Sequence, residues 1–212
     1  MIIVHISDTH NKHEELNLPE GDMIIHSGDF SGSLASGYRF IEWFQKLEYK
    51  YKILVAGNHD SIMALHKNVK EKQIELKEKG IIYLEDTSVE IEGVKFHGSP
   101  WSLTYGTYDF MCSEQQIAFY WDKIPNDTEV LITHGPAFGI LDIAPKGNKL
   151  ENTGSSSLRY KIDSMENLRY HLTGHIHEGY GINEGEKYTT INSAVFLWGS
   201  KIKGPHVFEI RT

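Results

Sequence analysis

The chain has 212 residues and a formal net charge of −8, from 21 Lys and Arg against 29 Asp and Glu. It is 40% hydrophobic and 11% aromatic, which excludes a disordered polymer and supplies a real core. The length is comfortable for one domain over residues 1–212, and the acidic balance shows no basic groove for a stable nucleic-acid complex.

Met1 runs straight into Ile2-Ile3-Val4-His5-Ile6, a strand pattern, with no basic leader and no long apolar run. Neither a signal peptide nor a membrane span is expected. Residues 1–8 and 23–29 read as two buried strands ending at Asp8 and Asp29. Residues 36–48 switch to helical period, with Phe40, Ile41, Phe44 and Leu47 on one face. Residues 52–56 form a third strand, followed by Gly57-Asn58-His59-Asp60. Residues 61–79 read as a helix stopped by Gly80 at its C′ position. Residues 81–84 are a short strand. Residues 89–91 and 94–97 make a hairpin across Glu92-Gly93. Ser113 and Gln116 form a capping box for a helix that Pro125 closes. Residues 129–133 are a strand ending at His134. Residues 144–156 read as an exposed loop, and residues 157–165 as a short helix. Residues 169–173 are a strand ending in Gly174-His175, and residues 187–197 and 206–211 are closing strands. The only cysteine, Cys112, excludes an intrachain disulfide and fits a reducing cytoplasm. It is read as structural.

Strand, loop and helix alternate through both halves. The favoured architecture is a four-layer α/β/β/α sandwich of two mixed sheets flanked by helices, with a single doubly wound sheet as the competitor. Either way the loops after the strands gather at one edge, where open α/β folds place ligands.

Those loops carry the chemistry. Asp8-x-His10, Gly28-Asp29, Gly57-Asn58-His59-Asp60, Thr133-His134 and Gly174-His175-x-His177 each follow an apolar run. Taken singly, most are ordinary: Gly and Asp are common turn residues, and a lone His is usually structural. Gly57-Asn58-His59-Asp60 and the paired histidines 175 and 177 exceed what turns require. Asp8 and His10 are two apart, so on an extended backbone they reach one ion together. Asp29 can bridge, one oxygen to each of two ions, and Asn58 offers a neutral amide oxygen. Imidazole, carboxylate and amide together suit Mn²⁺ or iron first, with Zn²⁺ or Ni²⁺ as alternatives. Thiolates are missing, and Mg²⁺ matches four imidazoles poorly. Two divalent ions, or a mixed-valence pair, would also return positive charge where an anionic substrate arrives.

With DTH at 8–10, GD at 28–29, GNHD at 57–60, His134 and GHIH at 174–177, the chain resembles the calcineurin-like metallophosphoesterases over nearly its whole length. The resemblance implies one metal on Asp8, His10, Asp29 and His177, and a second on Asp29, Asn58, His134 and His175. It implies that His59 meets the phosphoryl group or leaving oxygen without binding metal, with Asp60 orienting His59 or its turn. It also implies the four-layer fold. The protein phosphatases of that superfamily carry phosphate-binding arginines after the GD motif and before the Asn-His motif. Here those stretches read Gly28-Asp29-Phe30-Ser31-Gly32 and Val55-Ala56-Gly57-Asn58, without arginine. The stretches 98–101, 133–136 and 174–181 instead resemble a small metallophosphoesterase-domain group that is similar to class III cyclic-nucleotide phosphodiesterases.

The implied reaction is hydrolysis of a small phosphodiester, a cyclic nucleotide among the candidates, by a metal-bridging hydroxide. Asn58, His59, His97, Trp101 and Tyr105 are the candidate substrate contacts, with the aromatic 101–108 stretch able to stack on a base. A broad phosphomonoesterase, a nuclease and a non-enzymatic metal-binding scaffold are the competing readings. A monomer or homodimer is expected. His5 and His26, inside strands, are read as buried core residues rather than ligands.

Overall fold

The computed structural model describes residues 1–65, 68–196 and 202–211. The strands are β1 (Ile2–Ile6), β2 (Met23–Ser27), β3 (Tyr51–Val55), β4 (Ile82–Tyr83), β5 (Thr87–Ile91), β6 (Val94–Ser99), β7 (Ser102–Leu103), β8 (Met111–Cys112), β9 (Val130–Thr133), β10 (Ile143–Lys146), β11 (Lys149–Asn152), β12 (Tyr170–Thr173), β13 (Gly181–Glu184), β14 (Thr189–Asn192) and β15 (His206–Glu209). The helices are α1 (Leu34–Lys46), α2 (Ser61–Leu65), α3 (Val69–Glu78), α4 (Glu114–Trp121) and α5 (Ser156–Ser164). Among the described residues no helix is long and apolar enough to cross a membrane.

Two sheets form. One has the order β15-β1-β2-β3-β4, the other β13-β14-β12-β9-β6-β5. The interior strands of both are parallel; β15, β13 and β5 run antiparallel at edges. Alternation along each strand sends side chains into two different cores. In β1 to β3, Val4, Ile6, Ile24 and Leu54 face α1, α2 and α3, joined by Phe40, Phe44, Met63 and Leu76. Ile3, Met23, Ile25 and Ile53 face the second sheet, where Phe96, Val130, Ile132 and Leu172 meet them. Leu131 turns outward to α4 and α5, packing with Ile117, Trp121, Leu158 and Ile162. The layers are thus helix, sheet, sheet, helix, as the sequence predicts.

Local signals act as expected at several ends. Ser113 and Gln116 make a reciprocal capping box on α4. Gly80, at φ +72°, closes α3: its N–H donates to the Lys77 carbonyl and that of Ile81 to Leu76, a Schellman arrangement. The β5–β6 hairpin turns through Glu92 and Gly93, both at positive φ.

Three expectations need correction. Residues 61–79 are two helices rather than one, broken where Asn68 caps α3 through the Lys70 N–H; residues 66 and 67 lie outside the described residues. Residues 144–156 are not an irregular loop. Ile143–Lys146 and Lys149–Asn152 pair as an exposed antiparallel hairpin around Gly147, at φ +62°. The Gly147-Asn148 dipeptide is a hairpin signal that Pro145 and the polar composition obscure. The closing strands are shorter than read, Thr189–Asn192 and His206–Glu209, and residue 197 is outside the described residues.

Histidines fill buried positions within the sheets. His5 contacts Ser27 Oγ through Nε2 at 2.9 Å and Ser193 Oγ through Nδ1 at 2.7 Å. His26 Nδ1 accepts from the Gly28 N–H at 3.2 Å. His171 Nε2 lies 2.8 Å from Thr133 Oγ1, whose own proton goes to the Gly135 carbonyl, so His171 is the donor. Burial lowers the pKa of both His26 and His171 to about 3. Each therefore folds neutral, while its unfolded counterpart protonates near pH 6.5. Their contribution to stability is complete above that pH and is lost as pH falls toward 3. His171→Gln, which keeps a donor for Thr133, is expected to flatten the decline in denaturation midpoint between roughly pH 6.5 and 4. An unaltered decline would contradict neutral burial of His171.

Candidate metal centre

The parallel strands of both sheets end at one edge, and their next residues converge there. Asp8 follows β1, Asp29 follows β2, Asn58 follows β3, His134 follows β9 and His175 follows β12. The sheets are stitched at this edge: the Ser7 N–H donates to the Ser193 carbonyl at 2.8 Å, and the Val195 N–H to the Ser7 carbonyl at 3.0 Å.

The backbone takes an unusual route to bring the side chains in. Asp8, His10, Asp29 and His175 all have positive φ, between 41° and 66°. Asp8 and His10 therefore do not share a face through an extended backbone, as their spacing suggests. A left-handed turn folds His10 back over Asp8, leaving His10 Nε2 4.0 Å from Asp8 Oδ1. Non-glycine residues hold such conformations only where surrounding contacts enforce them. Close approach demands the glycines. A Cβ at Gly174 would collide with Ser7 Oγ and Asp8 Oδ2, and one at Gly28 with His134 Nδ1.

Each carboxylate commits one oxygen to the scaffold. Asp8 Oδ2 accepts from Ser7 Oγ at 2.6 Å and the His175 N–H at 2.8 Å. Its Oδ1 has no hydrogen bond and lies 3.3 Å from His177 Nε2. Asp29 Oδ1 accepts the His59 N–H at 2.8 Å. Asp29 Oδ2 is left facing His134 Nε2 at 3.4 Å and His10 Nε2 at 3.9 Å. A single oxygen of Asp29 therefore addresses both sides, rather than one oxygen each.

Two clusters result. Asp8, His10 and His177 form one, and Asp29, His134 and His175 the other; within each, the donor atoms lie within 4.8 Å of one another. The separations of 3.2–4.0 Å among these atoms leave room for an ion at about 2.0–2.2 Å from each. The donor chemistry suits a cation. His134 places Nδ1 2.9 Å from the Ser27 carbonyl, to which its N–H donates. Its Nε2 then faces Asn58 Oδ1 at 3.0 Å, His175 Nδ1 at 3.2 Å and Asp29 Oδ2. With His134 neutral these are lone pairs meeting lone pairs, an arrangement that a metal ion satisfies. In the other cluster His10 Nε2 and His177 Nε2 face each other at 3.3 Å. Tyr105 fixes the amide of Asn58: Asn58 Nδ2 donates to the Tyr105 hydroxyl at 3.3 Å, which turns Oδ1 inward.

Two buried carboxylates act on the imidazoles of the site. Burial opposes a charged His134, yet Asp29, by charge and contact, pushes its pKa up to about 9. Burial likewise opposes charge on His177, and Asp8 raises it. Among the described residues, the ion pairs of Asp8 and Asp29 are with histidines alone. A divalent ion answers the same field that favours protons on these imidazoles.

An open cavity of about 160 Å³ lies above the clusters, lined by His10, Asp29, His59, Tyr105, His175, His177 and Glu178. His59 belongs to neither cluster. Its Nε2 lies 3.9 Å from Asp29 Oδ2, and its ring packs against Tyr108 at 4.6 Å between centroids. Three sequence candidates are placed elsewhere. His97 is on the outer face of β6, in register with Leu131, with Nδ1 2.8 Å from Ser88 Oγ. Trp101 stacks on Tyr120 and donates through Nε1 to Asp86 at 2.9 Å. Asp60 is fully buried beneath the turns. Its Oδ2 accepts the N–H groups of Asp29 and Gly57, both at 2.8 Å, and its Oδ1 accepts from the Ser31 N–H at 2.9 Å and Oγ at 3.1 Å. It thus ties the Asp29 turn to the Asn58 turn and orients the turns rather than the His59 ring.

Sequence reasoning overlooked Asn192, and read Tyr108 only as part of the aromatic 101–108 stretch. Asn192 Nδ2 donates to the carbonyls of Ile176 at 2.9 Å and Gly174 at 3.3 Å, holding the histidine loop. It ends β14 just as the other site residues follow their strands, so the same rule finds it. Tyr108 carries no spacing signal.

Burial and the Asp29 charge raise the Asp60 pKa, against the pull of the Gly57 and Ser31 N–H groups. With four donors aimed at it, the carboxylate acts as an acceptor at both oxygens. Asp60→Asn would turn an NH₂ toward backbone N–H groups whichever way the amide sits. It should cost about 1–3 kcal/mol of stability in thermal denaturation with chelator present. An unchanged midpoint would contradict the acceptor role.

Residues 1–179 match the calcineurin-like phosphoesterase family. The chain is 33% identical to human metallophosphoesterase domain-containing protein 1 over 91% of its own length and 65% of that protein's. It is 35% identical to UPF0046 protein K07C11.7 of Caenorhabditis elegans, over 98% of this chain and 74% of that one. The chain thus spans about two thirds of the human relative. The crystal structure of TT1561 of Thermus thermophilus superposes with a TM-score of 0.62 at 11% identity, covering 90% of this chain and 88% of that one, a likeness of fold. With the family match, the identities and two metal-competent clusters at one edge of the sandwich, the chain belongs to the calcineurin-like phosphoesterase family.

Proposed function

We propose that this chain is a dinuclear-metal-dependent phosphodiesterase acting on small diesters, cyclic nucleotides among them. The observation that carries the reading is the place of Asp29 Oδ2, between His10 Nε2 at 3.9 Å and His134 Nε2 at 3.4 Å. One carboxylate oxygen lies within 4 Å of a histidine nitrogen from each donor cluster, which supports a shared ligand. On this reading Asp8, His10, Asp29 and His177 hold one ion, and Asp29, Asn58, His134 and His175 the other. Mn²⁺ or iron suits these donors first, Zn²⁺ or Ni²⁺ next. Bound there, the pair would supply Lewis-acid charge withdrawal and a lowered pKa for water.

The chain's own residues do the rest. His59 borders the cavity without entering a cluster, which supports a role for its imidazole in giving a proton to the departing oxygen. Tyr108 and the Asp29 contact restrict the ring and its backbone. Asp60 positions both turns and stays out of contact with substrate. Hydrolysis needs no covalent phosphoenzyme, and none of the described cavity-lining residues is a serine or cysteine.

The preference for a diester follows from charge. The described residues lining the cavity include no Lys or Arg, and Glu178 stands at its rim. A phosphomonoester dianion would need clamps that are missing and would meet that carboxylate, whereas a diester carries a single charge. The likeness of residues 98–101, 133–136 and 174–181 to the class III cyclic-nucleotide phosphodiesterase group supports the same choice. The lone cysteine suits a reducing compartment, and this chain is read as cytoplasmic.

With Mn²⁺ supplied, kcat/KM should be higher for bis-p-nitrophenyl phosphate than for p-nitrophenyl phosphate. In the same assay His59→Ala should lower kcat by about 10²-fold while elemental analysis finds its metal content kept. A clear monoester preference would overturn the diesterase reading. Loss of metal with His59 would overturn its role.

A further inference from the structure

The cavity above the clusters opens sideways into a larger groove of about 950 Å³, and Tyr105, His175 and Glu178 line both. Leu103 and Phe138 form one wall of this groove. Pro145 and Lys146 of the β10–β11 hairpin form the other. The hairpin is a fixed wall. Buried Asp142 accepts from the Gly139 N–H at 3.0 Å, the Gly154 N–H at 2.9 Å and Asn152 Nδ2 at 2.6 Å, pinning the base of the hairpin from both sides. The size is at the upper end of pockets for small organic ligands and exceeds what a phosphate with small alkyl esters would fill.

Its charge is informative. Lys146 is the one cation among the described lining residues, and its Nζ is 3.1 Å from Glu151. Glu114 accepts from the Ser157 N–H at 2.7 Å and Oγ at 2.6 Å, and Glu178 adds a second carboxylate. A further phosphate would find two carboxylates and a cation already paired. A ring or chain without charge would find aromatic and aliphatic walls with polar edges.

We propose that this groove binds an uncharged, ring-sized organic arm of a phosphodiester whose phosphate lies over the metal clusters. The preferred substrates are then diesters with one bulky neutral ester group, and the β10–β11 hairpin sets that specificity. The inference rests on the diesterase reading and adds the identity of the arm.

Two p-nitrophenyl diesters with the same leaving group test it on the full chain loaded with Mn²⁺. They are methyl p-nitrophenyl phosphate and the p-nitrophenyl ester of thymidine 5′-phosphate. The nucleoside ester should show kcat/KM about tenfold above the methyl ester. Adding a 3′-phosphate to the nucleoside should reduce that advantage. Ala144→Trp, which fills the groove, and Phe138→Ala, which removes an exposed part of its wall, should each cut the nucleoside-to-methyl ratio by about threefold or more. Hydrolysis of both esters at equal kcat/KM would overturn the groove assignment and leave the diesterase reading in place. So would a preference that both variants retain, or a gain from the 3′-phosphate. Turnover of neither ester would overturn both readings.

Discussion

The structure turns on two carboxylates brought inside with imidazoles, and no lysine or arginine, as their ion-pair partners among the described residues. Buried charge is costly unless it is paired. Asp8 and Asp29 meet this by the same device. One oxygen is bonded to a backbone N–H of a different motif, His175 for Asp8 and His59 for Asp29. The other faces histidine nitrogens. The backbone bond fixes direction, and the second oxygen presents charge. Satisfying that charge takes protons on His134 and His177 or divalent cations, and the facing imidazole nitrogens favour cations.

Much of the local backbone serves this arrangement. Four site residues adopt left-handed conformations at strand ends, which cost of order 1–3 kcal/mol each and need a rigid frame. The two mixed sheets, parallel in their interiors, supply it. The stitch between Ser7 and the 193–195 segment holds their edges together, while Asp60 collars the Asp29 and Asn58 turns. The strain is concentrated where the ligand atoms must meet, and the three hydrophobic cores that bear it are ordinary in composition. The site is therefore a product of sheet geometry as much as of the motifs themselves.

The layer order was legible because short continuous apolar runs mark strands buried on both faces, and the interleaved helical periods say that helices cover them. The ligand residues were legible because each polar residue follows a run. The geometry was less so. Spacing alone suggests an extended Asp8-x-His10, since nothing in the sequence marks φ > 0 at Asp8. His97 follows an apolar run in the same manner as His134, but strand parity puts it on the outer face with Ser88. Asp60 reads as a partner of the adjacent His59, yet its oxygens find N–H groups across two turns, a long-range pairing that local sequence does not carry. The 143–152 hairpin hides behind polar composition because both its faces are exposed, so it has no hydrophobic alternation to display.

The central claim is that a single oxygen of Asp29 serves two ions at once. Titration of the chelated protein with Mn²⁺, followed by electron paramagnetic resonance, tests it directly. Two equivalents should produce the spectrum of an exchange-coupled pair, and Asp29→Asn should abolish the coupling. Saturation at one ion, or two ions with the spectrum of magnetically isolated Mn²⁺, would contradict the account.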